Sequence, residues 1–458
     1  MTTQSSLQIF DSEATDFSSD QTARSRQKPK LALISTYDEL CGIAAYTTHI
    51  RKQLEDHFEV TVFDLDQYFL RHANPRVIKL GDMHIKEICA KLSSFDAVNL
   101  QLEFGTLGRD DIDILRRLRW IINAAPAISV TFHTILQSQP LSAKSLLQKA
   151  ARLQFTKVWG EIRSSRRTNR LASVPFQLLR SSQRRRPTSV IVHTRRDMRY
   201  MRFVNRLNHV YDHPLAFLTP EDANAYQQAS RTEFPLLANL PKDAKLIGVF
   251  GFLGPYKGFE TAIRALHLLP PNYHLLVFGG VHPQTIRKEQ KIDPYIRTLL
   301  DEAYIGKNLV DQLENSEVTL NLSLDSSASL ALDQHPKDLS QRIHFMGALP
   351  DEQFARGMAI CDTVVFPYLE VGQSSSGPIS QAIELGLRVI ASRTLAYLQL
   401  ARYHRDVIEF FDIGNHLELA QRLQAPAAHP TEARNIQYNT DTNMQIYRMA
   451  NGIKVDIS

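Results

Sequence analysis

Short apolar runs that suit buried strands alternate with segments of helical spacing along both halves of this chain. In the first half, the strand-like runs cover residues 30–37, 59–66, 95–103, 127–134 and 188–194. In the second half, they cover residues 244–253, 274–281, 342–347, 362–369 and 388–392. Strands that alternate with helices form parallel βαβ units, which bind ligands at the carboxyl edge of the sheet. The pattern therefore predicts an α/β fold of two Rossmann-like, doubly wound domains that face each other across a cleft.

The length of the chain and its changes in composition predict where the domains begin and end. At 458 residues, the chain exceeds one ordinary domain. Residues 1–29 are polar and lack apolar periodicity, which predicts a disordered leader. We expect an N-terminal domain over 30–218, a linker rich in Pro, Asn and Ser over 219–243, and a C-terminal domain over 244–432. The last segment, 433–458, is expected to pack back on the N-terminal domain.

The sequence carries no signal for a membrane span, a disulfide framework or a metal site. It has no run of about 18 apolar residues, and its first thirty residues lack the apolar centre of a secretory signal. Cys41, Cys89 and Cys361 are far apart, odd in number and without metal-ligand spacing. We therefore expect a cytoplasmic protein without a bound metal.

Three junctions between a strand and a helix carry residue types that suit a bound phosphate. Gly42 lies where the first strand leads into a helix, and Lys257 precedes the helix after the strand at 244–253. The loop Ser374–Gly377 precedes Pro378, which is favoured at the start of a helix. A helix N-terminus, a lysine and free hydroxyls together suit a diphosphate. Each junction, taken alone, is also compatible with a tight turn, a solvated lysine or a helix cap without a ligand.

These motifs, in their order and spacing, resemble the family 4 retaining glycosyltransferases, which have the GT-B fold. The C-terminal half carries most of the resemblance, in Gly251, Leu253, Lys257, Gly258, VFGG at 277–280, HFMGALPDE at 344–352 and CDTVVFPY at 361–368. In the N-terminal half it rests on CGIAAYT at 41–47, QLEFG at 101–105, VTFHT at 130–134 and VIVHT at 190–194.

The resemblance implies a hexosyltransferase that moves a sugar from a UDP- or GDP-sugar to a glycan or lipid-linked acceptor in polysaccharide biosynthesis. It implies that the anomeric configuration is retained and that no cofactor is needed. The N-terminal domain would bind the acceptor, and the C-terminal domain would bind the nucleotide sugar.

The resemblance also implies roles for individual residues. His133 would sit in the cleft near the reacting sugar, and Lys257 would bind the diphosphate; both are the predicted catalytic positions. Gly42 would support the loop near the donor phosphates. The donor sugar and phosphate would be held by the loop of Ser374, Ser375, Ser376 and Gly377. Considered without the resemblance, His133 is better explained as a buried histidine at a strand end.

Three positions depart from the family pattern at the donor site. Phe252 stands where the family usually has a second diphosphate-binding arginine, and Gln373 and Gln381 stand where it often has two glutamates. We keep all three as donor-binding positions, since glutamine can bond to sugar hydroxyls although it carries no charge. A hypothesis is that Arg388 or Arg393 supplies the lost charge. Two alternatives stay open: a sugar-nucleotide epimerase of the same architecture, and a non-catalytic protein that binds a sugar nucleotide.

A strongly basic segment extends from Leu141 to Arg186. It contains twelve Lys or Arg residues and one acidic residue, Glu161, with apolar residues between them at helix-like spacing. Such a segment is typical of a surface that binds an anionic membrane, here the inner face of the plasma membrane. The predicted membrane or acceptor patch consists of Arg163, Arg166, Arg167 and Arg170. No nucleic-acid-binding module accompanies it, so nucleic acid is not expected as a partner; a solvated loop is the alternative.

Overall fold

Two six-stranded parallel sheets organise the described part of the chain, one in each half. The computed structural model describes residues 28–39, 41–138, 141, 147–149, 151–281, 292–304, 338–372, 374–428 and 437–452. Two of the sequence predictions lie outside these residues: the leader, except for its last two positions, and the donor-binding position Gln373.

The first sheet has the strand order β2-β1-β3-β4-β5-β6. Its strands are β1 (Lys30–Ser35), β2 (Glu59–Asp64), β3 (Ala97–Leu102), β4 (Ile128–Phe132), β5 (Thr188–Val192) and β6 (Val210–Asp212). The described helices of this half are α1 (Gly42–Leu54), α2 (Gln67–Leu70), α3 (Pro75–Lys91), α4 (Asp111–Ala124), α5 (Phe155–Gln183) and α6 (Arg195–Arg199), and a π-helical turn follows at Tyr200–Val204. Leu31 to Ile34 are fully buried, as expected of a strand with helices on both faces of its sheet.

The second sheet has the strand order β12-β11-β10-β7-β8-β9. Its strands are β7 (Lys245–Phe250), β8 (Tyr273–Phe278), β9 (Ile343–Gly347), β10 (Thr363–Phe366), β11 (Val389–Ser392) and β12 (Ile408–Phe411). The described helices from the linker onward are α7 (Pro220–Gln227), α8 (Phe259–Leu266), α9 (Pro294–Glu302), α10 (Asp351–Ala359), α11 (Gly377–Glu384), α12 (Leu395–Leu400), α13 (His416–Gln424) and α14 (Thr440–Ala450). Every described strand pair in both sheets is parallel, so the predicted α/β fold with two doubly wound sheets is confirmed.

The linker and the C-terminal helix connect the two halves. The linker contains helix α7, which begins where the Thr219 side chain accepts a hydrogen bond from the Asp222 N–H and Pro220 occupies the first turn. After the second sheet, α14 lies on the first one: Ser189 Oγ donates to the Ala450 carbonyl at 2.6 Å, and Tyr447 Oη lies 3.2 Å from Thr131 Oγ1. The last described helix of the chain therefore packs against the sheet of the N-terminal half.

Helix α5 differs from the others by its length of 29 residues. Its buried residues all come from the second half of the helix and are Leu171, Ala172, Pro175, Phe176, Leu179 and Ser182. Although α5 is long, neither it nor any other helix in the described ranges is apolar enough to cross a bilayer.

Candidate active site

The two predicted donor loops meet at the carboxyl edge of the second sheet. The strand order reverses between β7 and β10, and open α/β sheets bind ligands beside such a reversal. Lys257 follows β7, and the loop Ser374–Gly377 follows β10, so neighbouring strands bring both to one edge. Gly42 follows β1, at the corresponding reversal between β1 and β3 of the first sheet.

Phe217, which follows β6, connects the two halves of the site. A Cβ atom added at Gly377 would lie 3.0 Å from the Phe217 ring. On its other side, the Phe217 ring centroid is 5.3 Å from that of Tyr46, which is 5.4 Å from that of His133. The Phe217 N–H also donates to Glu384 of α11 at 2.9 Å. A short series of packed rings thus separates the serine loop from His133.

Lys257 is buried among aromatic side chains, with 5% of its surface exposed. Its Nζ donates to Tyr368 Oη at 2.5 Å and lies 3.8 Å from the centroid of that ring. It also lies 4.9 Å from the ring centroid of Tyr256. Gly258, at φ 62°, permits this closed loop, because a Cβ atom there would lie 2.2 Å from the Pro367 carbonyl oxygen. At Gly251 a Cβ atom would lie 2.9 Å from the Lys257 Nζ.

The environment of Lys257 disfavours its positive charge. Burial lowers the pKa of the ammonium to about 7, and no described carboxylate offsets this effect. Tyr368 cannot act as a counter-charge, because its hydroxyl donates to the Phe250 carbonyl at 3.1 Å and burial raises its pKa. A buried cationic group without a fixed counter-charge is suited to accept one from a bound anion.

Two hydroxyls beside Tyr368 have unused hydrogen-bonding capacity. Ser376 precedes α11 as its N-cap, but its side chain does not cap the helix. The Tyr397 ring centroid is 5.5 Å from that of Tyr368. Ser376 Oγ and Tyr397 Oη are both buried and lie close to each other and to the Tyr368 hydroxyl, but neither completes a hydrogen bond of full geometry with these neighbours. Because buried hydroxyls are nearly always bonded, these two are candidates for ligand contacts next to the N-terminus of α11.

The other predicted donor positions occupy different surroundings. Gln381 is buried on α11, and its Oε1 has no hydrogen-bond partner among the described residues. Ser374 is buried, whereas Ser375 and Phe252 are partly exposed. Gly42 is exposed, and a Cβ atom there would meet nothing within 4 Å. The packing around Gly42 therefore does not itself require a glycine.

His133 lies at the end of β4 in a group of neutral histidines. Its Nε2 is 2.9 Å from Gln101 Oε1, and the Gln101 amide nitrogen donates to Asn99 and Tyr447. Since Gln101 presents its oxygen, His133 donates from Nε2 and keeps Nδ1 as an acceptor. Burial, and then the neighbouring His193, lower the pKa of His133 well below its usual range. His133 is therefore an uncharged hydrogen-bonding group and not a cation at neutral pH.

Two residues near His133 were not singled out from the sequence. His193, at the end of β5, is buried with Nε2 unbonded, and its ring centroid is 5.1 Å from that of His133. Glu103, at the end of β3, shares a hydrogen bond with Thr134, and burial raises its pKa. Both belong to motifs that carried the family resemblance, so their position after a strand was the available signal.

The two arginines considered as replacements for the lost charge are both engaged elsewhere. Arg388 precedes β11, at the amino edge of the sheet and away from Lys257, and forms two hydrogen bonds of 2.8 and 2.9 Å with Glu409. This hypothesis is therefore wrong for Arg388. Arg393 follows β11 at the carboxyl edge of the sheet, where Lys257 also lies, but it pairs with Asp412 at 2.5 Å.

The four arginines of the predicted patch lie on α5 and fall into two pairs. Arg167 donates to the Arg109 carbonyl at 2.5 Å, and Arg170 pairs with Asp111 at 2.8 Å. Arg163 and Arg166 are exposed and form no ion pair with a described residue. Among the described residues, Arg170 therefore has a carboxylate partner, whereas Arg167 contacts a backbone carbonyl and Arg163 and Arg166 have no acidic partner. In the described ranges, no group of three or more His, Cys, Asp or Glu side chains is arranged to hold a metal.

The architecture matches that of solved glycosyltransferases over nearly the whole chain. HepE of Anabaena in complex with UDP and glucose is 16% identical, with 93% of this chain and 100% of that chain covered at a TM-score of 0.53. Sucrose-phosphate synthase from Thermosynechococcus elongatus is 16% identical, with coverages of 93% and 99% and a TM-score of 0.55. A UDP-forming α,α-trehalose-phosphate synthase from Burkholderia xenovorans is 11% identical, with coverages of 93% and 99% and a TM-score of 0.57.

These likenesses identify the fold as GT-B, the two-domain architecture that the sequence motifs predicted. No protein-family model and no curated protein matches the chain. At such low identities the likeness extends to the fold, and the chemistry must be argued from the site itself.

Proposed function

We propose that the protein is a retaining glycosyltransferase that moves a hexose from a nucleoside-diphosphate sugar to an acceptor glycan. The observation that carries the proposal is Lys257, a buried lysine without a described carboxylate partner, next to the buried and incompletely bonded hydroxyls of Ser376 and Tyr397. These groups lie at the N-terminus of α11, which itself favours an anion. A diphosphate would satisfy all of them at once.

In this proposal, the site stabilises the diphosphate as it leaves. The acceptor hydroxyl oxygen bonds to the anomeric carbon as the bond between that carbon and the diphosphate oxygen breaks. Negative charge develops on the leaving diphosphate, which takes up the proton of the acceptor hydroxyl. Lys257, Ser376 Oγ and the first N–H groups of α11 would neutralise that charge where water is largely excluded. His133, which is uncharged, would accept a hydrogen bond from a donor hydroxyl through Nδ1 and so orient the sugar.

We propose UDP-glucose or a related UDP-sugar as the donor. HepE is described in complexes with UDP and glucose and with UDP-glucose, and the Burkholderia enzyme is described as UDP-forming. Gln381 Oε1, buried and unbonded, would accept a hydrogen bond from a ribose or sugar hydroxyl.

Thermal-shift binding with a panel of nucleotides and nucleotide sugars tests the donor site. The variant Lys257→Met removes the charge but keeps a chain of similar volume, and exposed Lys242→Met is the matched control. A ligand at 100 times its Kd adds about 2.7 kcal/mol to the apparent stability. We expect UDP and UDP-glucose to stabilise the wild type and Lys242→Met but not Lys257→Met. Equal stabilisation of all three proteins, or of none, would contradict the proposed site.

A non-catalytic donor-binding protein is the second candidate. It is favoured by the uncharged residues Phe252 and Gln381 at two positions where the family usually has charges. Release of UDP from UDP-glucose distinguishes the candidates, because a transferase also hydrolyses its donor slowly in the absence of acceptor. UDP binding without any UDP release would support the second candidate. Conversion of the sugar while it stays attached to UDP would indicate an epimerase.

A further inference from the structure

The first half of α5 extends beyond the body of the N-terminal domain. Arg167 and Arg170 bind Arg109 and Asp111 at the beginning of α4, which follows the carboxyl end of β3. This contact marks the level of the carboxyl edge of the sheet. Towards its N-terminus, α5 continues from Arg166 to Phe155 and buries no residue in that stretch. At about 1.5 Å per residue, the helix extends about 18 Å beyond the edge.

This extension exposes large apolar side chains. We define the projecting arm as residues 151–166, in which Leu153 is 76%, Phe155 58% and Trp159 70% exposed. Phe155 and Trp159 are four residues apart and therefore share one face of α5. Lys149, which precedes the helix in the sequence, forms an ion pair with Glu161 of the arm. Apolar groups concentrated on one exposed element indicate a binding surface.

Positively charged side chains follow the aromatic residues along the same face of the helix. Arg163 follows Trp159 by one helical turn, and Arg166 follows Arg163 by nearly another. Both are exposed and form no ion pair with a described residue. Glu161, the one acidic residue of the arm, already pairs with Lys149. The arm therefore presents an apolar, aromatic end beside an excess of positive charge.

This combination matches an anionic bilayer better than a nucleic acid. Tryptophan and phenylalanine partition to the boundary between headgroups and acyl chains, and arginines on the same helix attract anionic headgroups. A nucleic acid would use the arginines and could stack on the rings, but it offers no apolar environment for Leu153. We infer that the arm docks onto an anionic membrane surface, with Leu153, Phe155 and Trp159 in the interface and Arg163 and Arg166 against the headgroups.

Docking of the arm would hold the cleft next to the membrane, because the arm projects from the edge where His133 lies. That the acceptor is presented on the membrane rests on the proposed function, whereas docking itself does not. The two inferences can therefore fail separately.

Flotation of the full chain with phospholipid vesicles tests the docking. The vesicles contain phosphatidylcholine alone or phosphatidylcholine with phosphatidylglycerol. The test variants are Phe155→Ser with Trp159→Ser, and Arg163→Ser with Arg166→Ser. The matched controls are Phe203→Ser, at a side chain that is 77% exposed in the same domain, and Arg184→Ser with Arg185→Ser beyond the other end of α5. UDP thermal shifts on every variant show whether the fold and the donor site are intact.

We expect binding to the anionic vesicles only, weakened by salt. Loss of two arginines should lower the partition coefficient about 30-fold, and loss of the two aromatic residues at least about tenfold. Both controls should bind like the wild type. Absence of vesicle binding at low salt, an equal loss in the controls, or arm-dependent binding to RNA or DNA instead would overturn the inference. Vesicle binding by a protein whose melting temperature does not change with UDP would support the docking and contradict the proposed function.

Discussion

Lys257 has an environment that couples its charge to its ligand. Its pKa is about 10.4 in an unfolded chain and about 7 in the folded protein. Between these values the unfolded chain holds a proton that the folded chain lacks. The contribution of Lys257 to stability therefore falls as the pH falls from about 10 to about 7, and is constant below. A bound diphosphate would raise the pKa again, so donor binding should take up a proton.

The affinity for UDP-glucose should therefore depend on pH. Its diphosphate does not titrate near neutrality, so the change reports on the protein. Above pH 7 we expect the affinity to fall by up to about tenfold per pH unit, until the pKa of the bound state is reached. Calorimetry in buffers of different ionisation enthalpy would detect the proton uptake. If wild-type binding were independent of pH from neutrality to pH 9, Lys257 could not be the group that binds the diphosphate.

Tyr397 allows a test that separates stability from ligand binding. Its buried hydroxyl faces Ser376 and Tyr368 without completing a hydrogen bond of full geometry, so Tyr397→Phe should change the free energy of unfolding by less than about 1 kcal/mol. The same variant should bind UDP-glucose more weakly. The control is Tyr295→Phe, whose hydroxyl donates to Glu260 at 2.6 Å and accepts from the Phe259 N–H at 3.0 Å.

Urea denaturation of the two tyrosine variants gives the comparison. Tyr295→Phe should lose about 1–3 kcal/mol, because its two partners stay buried without it. A loss of similar size in Tyr397→Phe would mean that its hydroxyl is already satisfied in the empty protein.

At the scale of single residues, the sequence predicted Lys257 and the serine loop but not their surroundings. Lys257 could be recognised because it stands in a motif directly after a strand. Its burial depends on Tyr368, more than a hundred residues later, and no local pattern reports that contact. Tyr397 carried no signal, since its role arises from packing between α12 and the end of β10.

At the scale of elements, helix α11 contributes both to the candidate donor site and to the contact between the two domains. Its N-terminus faces the donor residues, and Glu384 near its C-terminus accepts the backbone N–H groups of Phe217 and Leu218 at 2.9 and 3.0 Å. Burial raises the pKa of Glu384 to about 8, although these two hydrogen bonds oppose the shift. The position of Phe217 against Gly377 thus depends on the same helix that would bind the diphosphate.

Glu384→Gln should weaken this contact between the two domains. Above pH 8 the ionised carboxylate accepts both N–H groups, whereas the amide group cannot, so one N–H becomes unpaired in a buried place. The expected loss in the free energy of unfolding, measured above pH 8, is about 1–3 kcal/mol. The exposed Glu352→Gln on α10 is the control and should change stability little. Unchanged stability of Glu384→Gln would show that the segment at Phe217 and Leu218 does not depend on this contact.

The regular elements could be predicted well, but the extent of α5 could not. Buried parallel strands form apolar runs with clear ends, so the runs in both halves correspond to strands of the two sheets. No residue in the arm of α5 is buried, and its amphipathic pattern therefore does not indicate where the helix leaves the domain. For the same reason, the sequence could not distinguish Arg167 and Arg170, which contact the start of α4, from Arg163 and Arg166 in the arm.

At the scale of the whole molecule, buried histidines concentrate where the two domains and the C-terminal segment meet. His213 Nδ1 contacts the Pro214 carbonyl at 2.7 Å, and its Nε2 lies 2.8 Å from Thr442 Oγ1 of α14. Burial lowers the pKa of His193 to about 4, that of His213 to about 3 and that of His404 to about 4. In the unfolded chain, all three would titrate near pH 6.5.

The protein should therefore lose stability in mild acid. Below pH 6.5 the unfolded chain takes up protons that the folded chain excludes, so the loss grows until the folded pKa values are reached. These three groups contribute about 4 kcal/mol per pH unit between roughly pH 6 and pH 4. His133 adds to this slope, because burial also lowers its pKa, and Glu384 opposes it, because its pKa is raised. Urea denaturation measured from pH 7 to pH 5 would show the slope, and His404→Gln should reduce it by about 1.4 kcal/mol per pH unit.

The most direct test of the central claim is a crystal structure of the protein with bound UDP. We expect the β-phosphate at the N-terminus of α11, within hydrogen-bonding distance of Ser376 Oγ and of the Lys257 ammonium. Lys257 would then have exchanged its contact with Tyr368 for a contact with the phosphate. A diphosphate bound elsewhere, or one bound there while Lys257 stays on Tyr368, would contradict the account.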